Sequence, residues 1–173
     1  MDTSSRLKVI KAKKLIDGTG AVPKEDVAIV ISGNTIQKII GQSELTVLDG
    51  AEVIDLGEST VMPGMIDAHM HFFAIPSHQL YRMHTESEVY RVLRAAGEAK
   101  KMLEAGITTA RCLGSNVSPD LKRAIDEGHV PGPRLVVAGE FVISTGGTWD
   151  DVVPPHEFAD GVEGVRHKVR ERV

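Results

Sequence analysis

The stretch VMPGMIDAHMHFF, Val61–Phe73, places two histidines one residue apart at the end of an apolar run that opens with Pro63-Gly64. In an extended strand alternate residues share a face. Asp67, His69 and His71 then point one way, and Ile66, Ala68 and Met70 the other. Two imidazoles a pleat apart can ligate a single divalent ion, and imidazole nitrogen suits zinc and other first-row metals. Asp67 is placed to orient a ligand or to tie down the strand, as carboxylates just outside a ligand set do. The alternative is an ordinary polar strand end, and an isolated His-x-His pair would favour it. The surroundings decide for the metal.

After Pro63-Gly64 the chain alternates strand and helix. MIDAHMHF is a strand. Residues 86–105 read as a helix, with Val89, Val92, Leu93, Ala96 and Leu103 near one face. Thr85 and Glu88 have capping-box spacing, and Gly106 stands where a helix stops. ITTARCL, Ile107–Leu113, is a second strand. Ser118-Pro119 reads as an N-cap and first helical position, and Gly128 closes that helix. PRLVVAG is a third strand, apolar as a strand covered on both faces should be. A further helix approaches along HEFADGVEGVRHKVRERV. Such alternation argues for an α/β fold with a parallel sheet or barrel, whose active sites lie at the C-terminal ends of the strands. The His pair is at such an end.

Before Pro63 the texture differs. LKVIKAKKLI and DVAIVI are short β-branched runs separated by the turn formers DGTGAVPKE, and Gly33-Asn34 is a tight hairpin turn between apolar runs. AEVIDL is another strand. Residues 1–62 are therefore expected to be all β, and residues 63–173 to hold strand–helix units.

Composition narrows the partners. With 42% hydrophobic and 25% charged residues, the 173-residue chain has a core to bury. Its net charge of -4 and lack of a basic stripe argue against nucleic acid. Lys11, Lys13 and Lys14 read as a solvated strand face. There is no run of the roughly 20 apolar residues that a membrane helix needs, and MDTSSRLKVI lacks the apolar centre of a signal peptide. A single cysteine, Cys112, fits a cytoplasmic protein.

The segment Pro63, Gly64, Met65, Ile66, Asp67, Ala68, His69, Met70, His71 resembles the entry motif of the amidohydrolase superfamily. LIDGTG and VIDLGESTVMPG resemble the small β-sandwich that precedes the barrel in that family. EAGITTARCLGS, AIDEGHVPGPRLVVAGEFVISTGGTWDD and ADGVEGVRHKVRE are similar to its imidazolonepropionase-like and Xaa-Pro dipeptidase-like branch. The resemblance implies half of a β-sandwich in residues 1–62 and, in residues 63–173, the first three or so units of a (β/α)₈ barrel. It implies a metal-dependent hydrolase acting on carbon–nitrogen bonds other than peptide bonds, in a small cyclic amide or N-acyl compound, or on a dipeptide. One or two divalent ions, zinc foremost, would be held in part by His69 and His71. The family's bridging lysine, later histidines and catalytic aspartate have no counterpart in these 173 residues. A closed barrel takes roughly 250 residues, so the chain is expected to be incomplete and inactive alone. The other reading is a non-catalytic truncated product, or one half of a split enzyme that binds metal weakly. Self-association, or a second chain supplying the rest of the barrel, would follow from either.

Two departures bear on substrate. Arg111-Cys112 stands where many relatives have Arg-Asp, and Gly146-Gly147-Thr148 where many have Gly-Gly-His. Thr148 and Trp149 lie on a loop after the third strand and are expected to shape the substrate pocket, although Trp149 could equally pack. His78 and His84, with Tyr81 and Arg82, occupy the loop after the first strand and read as solvated or pocket-bordering. His129, His156 and His167 read as surface residues, and Cys112 as a small buried one.

Overall fold

A computed structural model of the chain describes residues 7–46, 50–73, 75, 77–147 and 158–172. The chain divides into two compact units, Met1–Pro63 and Gly64–Val173.

The first unit is one mixed sheet. Strands β1 (Leu7–Leu15), β2 (Lys24–Ser32), β3 (Thr35–Gly41), β4 (Glu52–Asp55) and β5 (Thr60–Val61) lie in the order β3-β2-β1-β4, with β5 also on β1. β1–β2 and β2–β3 are antiparallel, whereas β4 and β5 run parallel to β1. The β2–β3 turn is the expected two-residue one, joining Ser32 to Thr35, with Gly33 at φ +58. A side chain would resist that φ, which is why the first central position of such a turn is glycine. Val27, Ala28, Ile29 and Val30 on β2 are all buried, so both faces of the strand are covered. One cluster joins Ala12, Leu15, Val27 and Ile29, and the other Val9, Ala28 and Val30. In DGTG, Asp17 Oδ1 accepts from the Thr19 amide at 3.0 Å and hydroxyl at 2.6 Å, an Asx turn that reverses the chain after β1. The lysines of β1 are ion-paired across the sheet rather than simply solvated: Lys11 with Asp55 at 2.8 Å, Lys13 with Asp26 at 2.9 Å and Lys14 with Glu25 at 3.3 Å.

The second unit holds a parallel sheet in the order β6-β7-β8, formed by β6 (Met65–Met70), β7 (Ile107–Cys112) and β8 (Arg134–Val137). Helix α1 (Glu88–Glu104) connects the first two strands and α2 (Ser118–Asp126) the next two; α3 (Gly161–Arg172) follows. The α/β reading holds: the core joins Phe72, Ala95, Ala99, Ala110, Cys112, Val117, Leu121 and Leu135. Gly64 is required by packing. A Cβ there would lie 2.0 Å from Thr108 Oγ1 and 2.6 Å from Thr108 Cβ, and threonine's stiff χ1 leaves little room to yield.

Four local expectations are corrected. The N-cap of α1 is Ser87, whose hydroxyl accepts from the Tyr90 amide at 3.3 Å; Thr85 instead donates to the Arg82 carbonyl. The inward face of α1 is also rotated. Ala95 and Ala99 are fully buried, while Val89 and Leu93 are 71% and 68% exposed, because the alanines allow close approach and Arg91 is drawn inward to Asn116 Oδ1 at 3.1 Å. Ser118 is not an accepting cap: its hydroxyl donates to the Ser115 carbonyl at 2.9 Å, and Val117 takes the cap position. Finally, β8 is covered on one face only, with Leu135 buried and Val136 open.

Candidate metal centre

β6 brings His69 and His71 to one place. Their rings meet edge to face with centroids 5.5 Å apart, close enough to share an ion. His69 is exposed and His71 half-buried. Asp67 turns its Oδ1 to the backbone amide of His69 at 3.1 Å, so it ties down the strand rather than an imidazole. Of the two roles open to it in the sequence, the structure displays the strand-fixing one.

His71 is held more tightly. Its Nδ1 lies 2.9 Å from the carbonyl of Gly114, just beyond β7. A carbonyl only accepts, so Nδ1 is the donor of this bond, and in the neutral ring the lone pair is then on Nε2. Metal-binding histidines are oriented in this way, by an outer partner on the second nitrogen. Phe73 stacks parallel to the His71 ring at 5.0 Å and 3°, and Phe141 stands 5.7 Å from it. Sequence reasoning missed Gly114, Phe73 and Phe141. The one local signal was a glycine directly after an apolar strand.

The donor set fits part of a metal centre: two imidazoles meeting at 5.5 Å, one of them oriented by a backbone carbonyl. Among the described residues no cluster of three or more His, Cys, Asp and Glu side chains comes together. Thr148, Trp149 and His156 lie outside the described residues. Thr145 donates from its amide at 2.9 Å and from its hydroxyl at 2.6 Å to the Asp160 carboxylate. His78 and His84 fall in the 3-10 segment Ser77–His84. His129 pairs with Glu127 at 3.1 Å and His167 with Glu171 at 3.0 Å, both on the surface. Cys112 is buried, as expected. No helix among the described residues is long and apolar enough to cross a membrane.

Comparison with known families matches residues 60–173 to the profile described as "Amidohydrolase family". No curated protein matches the chain. Among solved structures, a prolidase complexed with N-methylphosphonate-L-proline is similar at 31% identity and TM-score 0.82, over 96% of this chain and 43% of its own. A second amidohydrolase gives 33% identity and TM-score 0.82 over 96% and 44%. A Xaa-Pro dipeptidase with methionine bound in its active site gives 29% and 0.81 over 96% and 44%. The chain thus spans less than half the length of each of these relatives. The match over residues 60–173 includes both strand-end histidines and extends beyond them along the whole parallel sheet, and on that extent the chain belongs to the amidohydrolase family.

Proposed function

We propose that the chain carries the first part of the centre of a metal-dependent amidohydrolase. The reaction is hydrolysis of a carbon–nitrogen bond in a small cyclic amide, an N-acyl compound or a dipeptide, in the cytoplasm. The observation that supports it is the His69–His71 pair, with His71 Nδ1 engaged by the Gly114 carbonyl. Family members generally use divalent metals. An ion held by His69 and His71, zinc foremost among those that imidazole suits, would supply Lewis acidity toward a carbonyl and toward water. The chain's own residues present two nitrogens to it: His69 from β6 and His71 from just past its end, while Asp67 fixes the backbone between them. Thr148 and Trp149 shape the substrate pocket from the loop after β8. Catalytic zinc usually keeps three protein ligands. The described residues bring only two imidazoles together here, and the chain alone is expected to turn nothing over.

The test is calorimetric titration of the chain with zinc. Weak binding is expected, abolished by His69→Ala and by His71→Ala and unchanged by His129→Ala. Equal stoichiometry and affinity in both histidine variants would overturn the reading.

A second reading, one half of a split enzyme, is favoured by the two outer strands. Among the described residues β6 and β8 each pair on one side only. They expose Ile66 at 70% and Val136 at 56%. Unpaired apolar edges invite association. Light scattering is expected to find an oligomer, and zinc-dependent hydrolysis only when a chain with the remaining barrel strands is added. A monomer that hydrolyses dipeptides unaided would exclude both incompleteness and partnership.

A further inference from the structure

The carbonyl that orients His71 belongs to a residue with no side chain, so something else must place it. Its neighbour Ser115 is 1% exposed and bonds in three directions. Its hydroxyl donates to the Phe72 carbonyl beyond β6 at 2.8 Å. Its amide donates to the Gly139 carbonyl beyond β8 at 2.7 Å. Its carbonyl accepts from the Ser118 hydroxyl at 2.9 Å, at the start of α2. One buried serine therefore laces the ends of all three parallel strands, with Gly114 directly before it. Gly114 cannot carry a side chain, because a Cβ would lie 2.2 Å from the ring of Phe141, which itself stands beside His71.

We propose that Ser115 is a positioning residue for His71: through its bond to the Phe72 carbonyl it holds the Gly114 carbonyl on Nδ1, so that the ring keeps its proton there and presents Nε2 to the ion. The proposal rests on the metal reading above. A buried hydroxyl is a costly choice where alanine would fill nearly the same volume, and it is tolerated because its bond fixes one geometry. Phe73, stacked on the ring, sets its plane but not its flip state.

The test begins with the metal-free 173-residue chain, labelled with ¹⁵N-histidine, in mildly alkaline buffer. Two-bond ¹H–¹⁵N spectra read the tautomer of His71 without any metal. The parent is expected to show the Nδ1–H form. Ser115→Ala is expected to show both tautomers and to bind zinc about 10–100-fold more weakly, the usual cost of losing an outer partner. If Ser115→Ala does not fold, by circular dichroism, Ser115→Cys is read in its place: its thiol keeps the side chain but donates only weakly to the Phe72 carbonyl. A single Nδ1–H tautomer with undiminished zinc affinity in the folded variant overturns the proposal. A tautomer shift in a chain whose zinc binding ignores His71→Ala upholds the positioning role and overturns the metal reading instead. The two failures are thereby distinct.

Discussion

The two sheets use polar groups in opposite ways. In the first unit they lie outside, and Lys8–Glu52, Lys11–Asp55, Lys13–Asp26 and Lys14–Glu25 join neighbouring strands as exposed pairs 2.8–3.4 Å long. Such pairs contribute about 0–1 kcal/mol each and accept many geometries. The sheet itself is held by two apolar clusters, one on each face. The second sheet adds a set of polar bonds buried at its strand ends. Ser115 and Ser118 are 1% and 0% exposed, and Gly114 stands where a Cβ would meet the Phe141 ring. A buried bond admits one arrangement and is costly to leave unmade. The first unit is therefore tolerant in detail, and the second is exact at the end of the sheet that carries the histidines.

The largest expected effect puts that contrast at risk directly. Gly114→Ala forces a Cβ into the Phe141 ring beside His71, and overpacking of this kind costs roughly 1–3 kcal/mol. Lys11→Ala in the first unit removes one exposed pair and should cost no more than about 1 kcal/mol. Urea unfolding of both variants gives the order. If Lys11→Ala proved the more damaging, the distinction between a tolerant and an exact sheet would fail.

The same contrast explains what the sequence disclosed. Features set by neighbours in the chain were legible. Gly33 in the hairpin, the β-branched runs of β1 and β2, and the common face of His69 and His71 follow from two-residue periodicity and turn chemistry. Features set by distant partners were not. Residues 85–88 read Thr-Glu-Ser-Glu, so two caps compete locally, and the Thr85 hydroxyl is taken by the Arg82 carbonyl. The helix face that reads as apolar, through Val89 and Leu93, is turned outward because Ala95 and Ala99 permit closer packing. Nothing local marks Ser115, whose partners are 43 residues before it at Phe72 and, beyond β8, at Gly139. Of the candidate site, the shared face of His69 and His71 and the strand-tying Asp67 were legible, and the Gly114 carbonyl and Ser115 were not.

The smallest expected effect probes a charge cluster that resembles neither extreme. Glu86, just before α1, accepts from Arg94 and Arg82 together. The Arg94 hydrogen bond first, and Arg82 after it, hold its carboxyl below the ordinary value of 4.5. In the first unit, Asp55 is lowered too, by the Lys11 ammonium and then the Gly57 amide. A carboxyl whose pKa falls on folding supports the folded state above its unfolded pKa, and that support is lost as pH drops through the folded value. Both groups thus stabilise at neutral pH and cease to do so in acid, Glu86 as pH falls below 4.5 and Asp55 as it falls below 3.8. Glu86 has two guanidiniums, fixed by a forked geometry that a lysine cannot copy. Asp55 has one mobile ammonium, screened by salt. Glu86→Gln should therefore flatten the acid limb of stability more than Asp55→Asn does, and added salt should erase the Asp55 contribution first. Urea midpoints measured from neutral pH into the acid limb, at low and high salt, give both slopes. Equal slopes in the parent and Glu86→Gln would show that the double arginine contact adds no more than the exposed lysine pairs of the first sheet.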